Sequence, residues 1–569
     1  MGNFDMRKWF GRSALQAQRW PSERGWHPSW LIGLCSFWIA AAGNLPLWNE
    51  LSDLNLLHGG SGLLLLLGMG GVIVALLCML LALLAWRHTL KPALALCLLA
   101  TAFGAHFMLS YHVVIDTTMM TNVLQTNPRE AGDLLSLKLL RNVGLLGVLP
   151  LVLLWRVPVR YGRSMGRRVR DNLLLLLLGL LLAVAAVLAS FQPFSTTMRN
   201  HKGVRYLINP LNAFYALGDL AAEPLRRKSG PLQPLGTDAK PGPSFAASSK
   251  PPLVVLVLGE TARADHFSLN GYARPTSPEL AKADVISQHN VWSCGTSTAA
   301  SVPCLFSHLG REGFESRAGD FETLPDVLQH AGLAVLWIDN QAGCKGVCDR
   351  VPNVRTSDLK HPQLCADGEC FDEIMLDGLD ERIAALPAER RARGVVLLMH
   401  QMGSHGPAYY KRSPPAYKRF LPECTKATLQ DCSRDEVVNA YDNSIAYTDH
   451  FLATTIGWLN ARAARYDTAL LYLSDHGESL GENNLYLHGL PYGLAPDTQK
   501  HVPWVTWLSP AFAQRRGVDV ACLRGRLDDK RSHDDYFHSV LGLIDVQTGV
   551  YQPELDLYRG CLVAPAAAR

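Results

Sequence analysis

Long apolar runs fill the first third of the chain and then stop. Five of them approach the roughly 20 apolar residues that a helix needs to cross a bilayer. They lie at about residues 29–48, 63–86, 92–114, 139–155 and 172–190. The pattern predicts a five-helix transmembrane domain at residues 1–190. The first run could instead be a signal peptide, but its long leader of mixed charge argues against cleavage.

The charged residues between these runs set their orientation. Basic residues precede the first span and lie between spans two and three and spans four and five, whereas the first loop, residues 49–61, has none. They are Arg7, Lys8, Arg12, Arg19, Arg24, Arg87, Lys91, Arg156, Arg160, Arg163, Arg167, Arg168 and Arg170. Because positively charged loops stay in the cytoplasm, the N-terminus is predicted to be cytoplasmic and everything after span five to be outside.

The pattern changes twice after the fifth span. Residues 191–250 are predicted to form a bridge, with a short amphipathic helix at 205–222 and a flexible tether rich in Pro, Gly and Ser at 228–250. From residue 251 to 569, short apolar runs alternate with helical patterns. The predicted strands are 253–258, 333–338, 395–399 and 469–473, and the predicted helices include 323–330, 371–385 and 434–465. This alternation predicts an α/β domain with a mostly parallel sheet between helices.

Cysteine placement independently supports this topology. The 569-residue chain has 13 cysteines. Cys35, Cys78 and Cys97 lie in apolar runs, and the other ten follow residue 290 in close pairs, as expected in an oxidising compartment. A cysteine zinc site is the rival interpretation, but the spacings do not fit a four-cysteine ligand pattern. The net charge of only +4 gives no indication of a nucleic-acid partner.

Side chains that could bind a metal follow two of the predicted strands. Glu260 comes just after the strand at 253–258, and Asp475 and His476 come just after the strand at 469–473. Ligands collect at the carboxyl ends of strands in α/β sheets. These three side chains could therefore converge on one metal ion, together with a hydroxyl from the loop that runs from Ser293 to Cys304.

A metal would give that hydroxyl a chemical role. A threonine hydroxyl is a poor nucleophile near neutral pH unless a base or a metal activates it. Glutamate, aspartate, histidine and an alkoxide form a four-ligand set that Zn²⁺ accepts, and Mn²⁺ would also tolerate it. The residues themselves do not decide whether Thr296 or Thr298 is the nucleophile.

Further candidates lie at other strand ends and in the loop at residues 116–135. His405 follows the strand at 395–399, and His488 lies 12 residues past His476. These histidines could transfer protons or hold a second zinc, and Lys345 could neutralise a phosphate oxygen. Asn122, Thr126 and Glu130 recur at helical spacing, a pattern that by itself favours a solvated helix face.

The motifs around these residues indicate a protein family more specifically than the single residues do. The chain resembles the alkaline phosphatase and sulfatase superfamily and, within it, the lipid A phosphoethanolamine transferases, which include the transferable colistin-resistance enzymes. The motifs that carry the resemblance are Gly259-Glu260-Thr261-Ala262-Arg263, Ser293-Cys294-Gly295-Thr296-Ser297-Thr298, Asp339-Asn340-Gln341, Cys344-Lys345-Gly346-Val347-Cys348-Asp349, Gly403-Ser404-His405-Gly406-Pro407 and Leu485-Tyr486-Leu487-His488-Gly489.

The resemblance implies a multi-pass enzyme of a Gram-negative inner membrane, monomeric, with its catalytic domain in the periplasm. It implies transfer of phosphoethanolamine from phosphatidylethanolamine to a lipid A phosphate, with release of diacylglycerol and polymyxin resistance. Thr298 would be the nucleophile and a metal ligand, beside one tightly bound Zn²⁺ and a possible transient second zinc. Thr296, Asn122, Thr126 and Glu130 would contact the donor. Neighbouring cysteines would pair as Cys294–Cys304, Cys344–Cys348, Cys365–Cys370, Cys424–Cys432 and Cys522–Cys561.

Three alternatives remain at this stage. A transferase acting on Kdo, heptose or another acceptor would use the same residues. A sulfatase or phosphodiesterase would use water as the acceptor, but sulfatases need a formylglycine made from Cys or Ser, which Thr298 cannot form. A non-enzymatic membrane sensor would not need Glu260, Thr298, Asp475 and His476 together.

Overall fold

The computed structural model describes residues 25–126, 128–162, 164–226, 230–366 and 368–563. Contacts divide the chain into two compact units. The helical unit comprises Met1–Leu109 and Leu137–Phe214, and the α/β unit comprises Ser110–Ser136 and Tyr215–Arg569. The basic residues predicted before the first span, and Arg163, lie outside the described residues. The predicted limits of 1–190, 191–250 and 251–569 stay a prediction.

The described chain from Pro28 to Arg226 is mostly helical. Its helices are α1 (Pro28–Ala41), α2 (Leu45–Asp53), α3 (Gly59–Leu83), α4 (Leu90–Tyr111), α5 (Thr117–Gln125), α6 (Pro128–Asp133), α7 (Leu137–Val143), α8 (Leu149–Arg156), α9 (Met165–Ala189), α10 (Phe191–Asn200) and α11 (Leu211–Arg226). A π-helical turn, Gly144–Val148, joins α7 to α8. The amphipathic helix predicted at 205–222 corresponds to a 3₁₀ turn, Lys202–Leu207, followed by α11.

Five described segments are long and apolar enough to cross a membrane, as predicted. They are Pro28–Asp53, Gly59–Leu83, Leu90–Tyr111, Leu137–Arg156 and Met165–Ala189. The first is interrupted between α1 and α2, next to the buried Asn44. Its side-chain amide donates to the carbonyls of Ile39 (2.8 Å) and Asn209 (2.7 Å), which satisfies a polar group inside an apolar unit.

A seven-stranded sheet forms the centre of the α/β unit. Its strands are β1 (Pro252–Gly259), β2 (Ile286–Gln288), β3 (Ala334–Asp339), β4 (Asn353–Arg355), β5 (Val395–His400), β6 (Asp467–Ser474) and β7 (Trp504–Leu508). They lie in the order β2-β7-β6-β1-β5-β3-β4. The five strands from β6 to β4 are parallel, and β7 is antiparallel to both of its neighbours, β6 and β2.

Burial explains which strands the sequence reveals. Every residue of β1, β3, β5 and β6 is buried, and such strands have continuous apolar sequences. These are the four predicted strands. The shorter β2 and β4 and the antiparallel β7 were not predicted.

Helices cover the sheet. They are α12 (Pro278–Lys282), α13 (Thr298–Leu305), α14 (Gly310–Glu315), α15 (Leu324–His330), α16 (Leu379–Ala385), α17 (Ala388–Arg393), α18 (Arg434–Asn460), α19 (Pro510–Arg516), α20 (Val520–Arg524) and α21 (Tyr536–Ile544). The prediction of one helix over 371–385 is wrong. The segment is a 3₁₀ turn, Asp372–Leu376, followed by α16, and Gly378 between them has a left-handed φ of 59°, which glycine adopts readily.

Five disulfides link Cys294–Cys304, Cys344–Cys348, Cys365–Cys370, Cys424–Cys432 and Cys522–Cys561. These are the same neighbour pairs that the resemblance implies. Cys35, Cys78 and Cys97 are buried free thiols in the apolar helices.

A histidine of α18 joins three parts of the α/β unit. The ring of His450 lies 2.9 Å (Nδ1) from Glu279 Oε2 of α12 and 3.1 Å (Nε2) from Glu373 Oε1. Tyr417 and Thr454 contact the same ring, and Arg419 contacts Glu279. The hydrogen bond to Glu373, together with Glu279, raises the pKa of His450 despite partial burial.

This arrangement predicts a pH-dependent contribution to stability. Because the pKa of His450 is raised from 6.5, its contribution is full below pH 6.5 and is lost as pH rises through the folded-state pKa. The pKa of Glu373 is lowered from 4.5, chiefly by its hydrogen bond to His450, so its contribution is lost in acid. Thermal unfolding of the purified chain should show His450→Gln destabilised by roughly 0.5–1.5 kcal/mol near pH 6, with the difference shrinking towards pH 9. A difference independent of pH would contradict this.

Candidate active site

The two predicted metal-binding strand ends lie side by side. In the parallel pair of β1 and β6, Gly259 is in register with Ser474. Glu260 therefore leaves the sheet next to Asp475 and His476. The side chains of all three are fully buried.

Their ligand atoms form a compact cluster. His476 Nε2 lies 3.3 Å from Glu260 Oε1 and 3.4 Å from Asp475 Oδ2. Four ligands around a tetrahedral Zn²⁺, at bond lengths of about 2.0–2.2 Å, are separated from one another by about 3.3–3.6 Å. The cluster thus has close to the spacing that a tetrahedral ion requires.

Thr298 completes the cluster. It is the first residue of α13, and its hydroxyl lies 3.1 and 3.0 Å from the two oxygens of Glu260 and 3.4 Å from His476 Nε2. The Cys294–Cys304 disulfide links the preceding loop to this helix. The positive end of a helix dipole favours an anion such as phosphate, so the hydroxyl lies where a phosphoryl group would be stabilised.

Hydrogen bonds and charge both fit a cation here. His476 Nδ1 lies 2.9 Å from the Gly477 carbonyl, which leaves Nε2 facing the carboxylates, and Asp475 Oδ2 is buried without a hydrogen-bond partner. Burial disfavours charge on His476, but Asp475 and Glu260 outweigh it and raise its pKa to about 9. Burial and the Glu260 charge raise the pKa of Asp475 to about 6. The residues present therefore fit a divalent metal ion.

His405 and His488 lie beside this cluster. The ring centre of His488 is 4.3 Å from that of His476 and 5.9 Å from that of His405. His488 Nδ1 lies 3.3 Å from Glu478 Oε2. His405 Nδ1 is buried without a partner, and burial lowers the pKa of His405 to about 3, so this ring is neutral near pH 7.

The predicted donor-contacting residues approach the same region from two sides. The Thr296 hydroxyl donates to the Leu490 carbonyl at 2.6 Å, and α5 passes close to the backbone after His488. A Cβ atom on Gly489 would lie 3.5 Å from Asn122 Nδ2. The Thr126 hydroxyl donates to the Asn122 carbonyl at 2.7 Å. Glu130 belongs to α6, but its side chain lies outside the described residues.

The described contacts of Lys345 are with residues other than those of the cluster. Its ammonium lies 3.4 Å from the Ala342 carbonyl, and the side chain lines a cavity of about 380 Å³ together with Arg317 and Arg350. Among the described residues, no hydrogen bond joins Lys345 to Thr298 or Glu260. Its predicted role at a phosphate oxygen stays a prediction.

Two residues at the cluster received no role from the sequence. Gln341 Nε2 donates to Glu260 Oε2 at 2.9 Å, and the Thr261 hydroxyl donates to Glu260 Oε1 at 2.8 Å. Both belong to motifs that carry the family resemblance. The position of Gln341, just after β3, is the signal that could have identified it.

Comparisons with known proteins identify the family of the chain. Residues 73–225 match the family described as phosphoethanolamine transferase EptA/EptB, and residues 252–546 match the sulfatase family. Phosphoethanolamine transferase EptA of Salmonella typhimurium is 39% identical over 536 residues, covering 94% of this chain and 96% of that protein. Phosphatidylethanolamine transferase Mcr-1 of Escherichia coli is 36% identical over 529 residues, covering 91% and 95%.

A solved structure matches over the same extent. The integral membrane lipooligosaccharide phosphoethanolamine transferase A of Neisseria meningitidis has a TM-score of 0.88 and 34% identity, covering 94% of this chain and 99% of that one. This match and the five apolar helices confirm the predicted multi-pass membrane protein with an α/β catalytic domain. The chain belongs to the EptA/EptB family of phosphoethanolamine transferases.

Proposed function

We propose that this enzyme transfers phosphoethanolamine from phosphatidylethanolamine to a phosphate of lipid A, through a covalent intermediate on Thr298. The observation that carries the proposal is the Thr298 hydroxyl within 3.4 Å of both Glu260 and His476 in a buried cluster. Donor and acceptor are both membrane lipids, which accounts for a catalytic domain attached to five spans of the inner membrane. No nucleic acid is involved, and the enzyme acts as a monomer.

Glu260, Thr298, Asp475 and His476 would hold one Zn²⁺. When bound, this ion would polarise a phosphoryl oxygen and favour the ionised threonine hydroxyl. A nitrogen and three oxygens suit zinc, and Mn²⁺ would tolerate the same set. His405 and His488 could hold a second zinc transiently.

In the first half-reaction, a bond forms between the Thr298 oxygen and the donor phosphorus while the bond to the diacylglycerol oxygen breaks. Thr298 gives up its proton along the hydrogen bond to Glu260. His488, held near Glu478, supplies a proton to the departing diacylglycerol oxygen. Asn122, Thr126, Glu130 and Thr296 orient the donor, and Lys345 compensates phosphate charge.

In the second half-reaction, an oxygen of the lipid A phosphate attacks the same phosphorus. The bond to Thr298 breaks, and the threonine oxygen recovers its proton. His405, neutral because burial lowers its pKa to about 3, accepts a hydrogen bond from the acceptor phosphate, and the proton that this phosphate loses passes to His488 and restores it for the next cycle. The two halves form a ping-pong exchange, whose intermediate is threonine phosphoethanolamine.

The nucleophile can be tested with isosteric variants. Thr298→Val, which keeps the shape but lacks the hydroxyl, should reduce transfer by at least about 10³-fold. Thr298→Ser should retain part of the activity. Intact-mass analysis of the wild type with donor alone should show one added phosphoethanolamine group, and peptide mapping should place it on Thr298. Full activity of Thr298→Val would disprove the assignment.

The proposed metal site predicts that zinc is lost when a ligand is changed and kept when another buried aspartate is changed. Asp475→Asn should lower both bound zinc and activity, because it removes a ligand charge from the cluster. Asp449→Asn is a matched control, since Asp449 is also buried but accepts hydrogen bonds from the backbone of Glu279 and Leu280. Metal analysis should find zinc lost from the first variant and kept in the second. An equal zinc content in the two variants would show that the metal binds elsewhere.

The cellular effect follows from charge. A phosphate monoester carries about −1.5 to −2 charges near pH 7. Adding phosphoethanolamine converts it to a diphosphate with two negative charges and one ammonium, so its net charge falls to about −1. Cationic peptides gain roughly 1 kcal/mol per basic residue at an anionic surface. Expression in a polymyxin-susceptible Gram-negative host should therefore raise resistance, with a phosphoethanolamine added to lipid A, and Thr298→Ala should abolish both.

In that experiment, mass spectrometry of the whole lipopolysaccharide distinguishes between the candidate acceptors. Addition to lipid A supports the proposal. Addition only to the inner core would keep the transferase chemistry but make Kdo or heptose the acceptor.

A further inference from the structure

Two features near the metal cluster have no part in the mechanism above. Thr261, the residue after Glu260, has a φ of 59°, a left-handed conformation that is uncommon for a β-branched residue. The polar and aromatic run from Tyr441 to Asp449 lies inside α18, and its side chains are buried. Unusual backbone conformations persist where the surrounding structure enforces them, often at functional sites.

The conformation of Thr261 brings two donors to two carboxylates. Its backbone N–H donates to Asp475 Oδ1 at 3.1 Å, and its hydroxyl donates to Glu260 Oε1 at 2.8 Å. A single residue therefore contacts one oxygen of each carboxylate of the cluster. An extended or right-handed φ would turn the side chain and the carbonyl away from their present positions relative to the N–H, so the two donors would no longer reach both carboxylates.

Tyr441 enforces this conformation from α18. Its hydroxyl donates to the Thr261 carbonyl at 2.6 Å and accepts from the Arg263 N–H at 3.0 Å. Tyr441 is fully buried, and burial raises its pKa well above the ordinary value, so the phenol keeps the proton that it donates. The hydroxyl thus bridges the two ends of the turn that contains Thr261.

The rest of Glu260 is held as well. The Ser404 N–H donates to the Glu260 carbonyl at 3.0 Å, and Gln341 donates to Oε2 of the Glu260 carboxylate. A Cβ atom on Gly403 would lie 2.7 Å from the same carbonyl, so only glycine allows this approach. Glu260 therefore has little freedom to move, and Thr261 couples its orientation to that of Asp475.

We propose that Thr261 and Tyr441 are positioning residues that fix the Glu260 and Asp475 carboxylates in the geometry that binds the metal. This rests on the metal site proposed above. Hydrogen bonds to ligating carboxylates typically change metal affinity by about 10–100-fold when they are removed. Neither residue needs to touch the substrate.

The test measures zinc affinity of the full-length purified enzyme by competition with a chromophoric chelator. Thr261→Val removes the hydroxyl but keeps the shape, and Tyr441→Phe removes both hydrogen bonds but keeps the ring. Both should weaken zinc binding by about 10–100-fold. Thr261→Ser, which restores the hydroxyl, should bind zinc within a few-fold of the wild type. Thr261→Gly accepts the φ of 59° freely and serves if valine prevents folding, and it should also bind zinc weakly.

Matched controls come from other buried hydroxyls. The Thr455 hydroxyl donates to the Phe451 carbonyl, and the Tyr558 hydroxyl contacts Thr506. Thr455→Val and Tyr558→Phe should leave zinc affinity unchanged, with circular dichroism verifying that every variant is folded. Equal weakening in the controls would show a general effect and overturn the proposal.

Three further outcomes would overturn the proposal in different ways. If Asp475→Asn loses zinc but Thr261→Val and Thr261→Gly bind it as tightly as the wild type, the metal site stands and the positioning role is wrong. If Asp475→Asn itself keeps full zinc affinity, the metal site and the positioning role fail together. Loss of affinity in Thr261→Ser equal to that in Thr261→Val would show that the hydroxyl is not the cause.

Discussion

Two carboxylates with no exposed surface, Glu260 and Asp475, lie beside each other at the ends of β1 and β6, and their charge must be balanced within the protein. His476 is next to both, and its pKa is raised to about 9 by their presence. A divalent ion balances this charge better than one proton and matches the spacing of the ligand atoms. The loop that carries Thr298, the disulfide beside it and the turn at Thr261 are all arranged around this cluster.

Much of this arrangement could be predicted from the sequence because it depends on local pattern. Buried parallel strands have continuous apolar sequences, so β1 and β6 were recognised, and the residues after them, Glu260, Asp475 and His476, had to share one edge of the sheet. The apolar runs before residue 190 likewise predicted five candidate spans. The family resemblance, rather than spacing, selected Thr298 over Thr296 and paired the cysteines.

Other features could not be predicted because they depend on contacts between distant parts of the chain. Tyr441 contacts the Thr261 carbonyl across 180 residues, and nothing in the pattern of α18 indicates this. The left-handed conformation of Thr261 is imposed by its neighbours, whereas residue preference alone would disfavour it. Three-residue strands such as β2 and β4 are too short to show periodicity. The pattern over residues 371–385 predicted one helix, whereas the structure has a 3₁₀ turn and a helix that are separated at Gly378.

We propose that a metal occupies the oxygen and nitrogen cluster of Glu260, Thr298, Asp475 and His476. X-ray absorption at the zinc edge of the purified enzyme, loaded with one equivalent of zinc, tests this proposal most directly, because it identifies the ligand atoms and their distances. We expect only nitrogen and oxygen neighbours at about 2.0–2.2 Å, with the signature of a single imidazole. A sulfur shell at about 2.3 Å, or several imidazoles in its place, would contradict it.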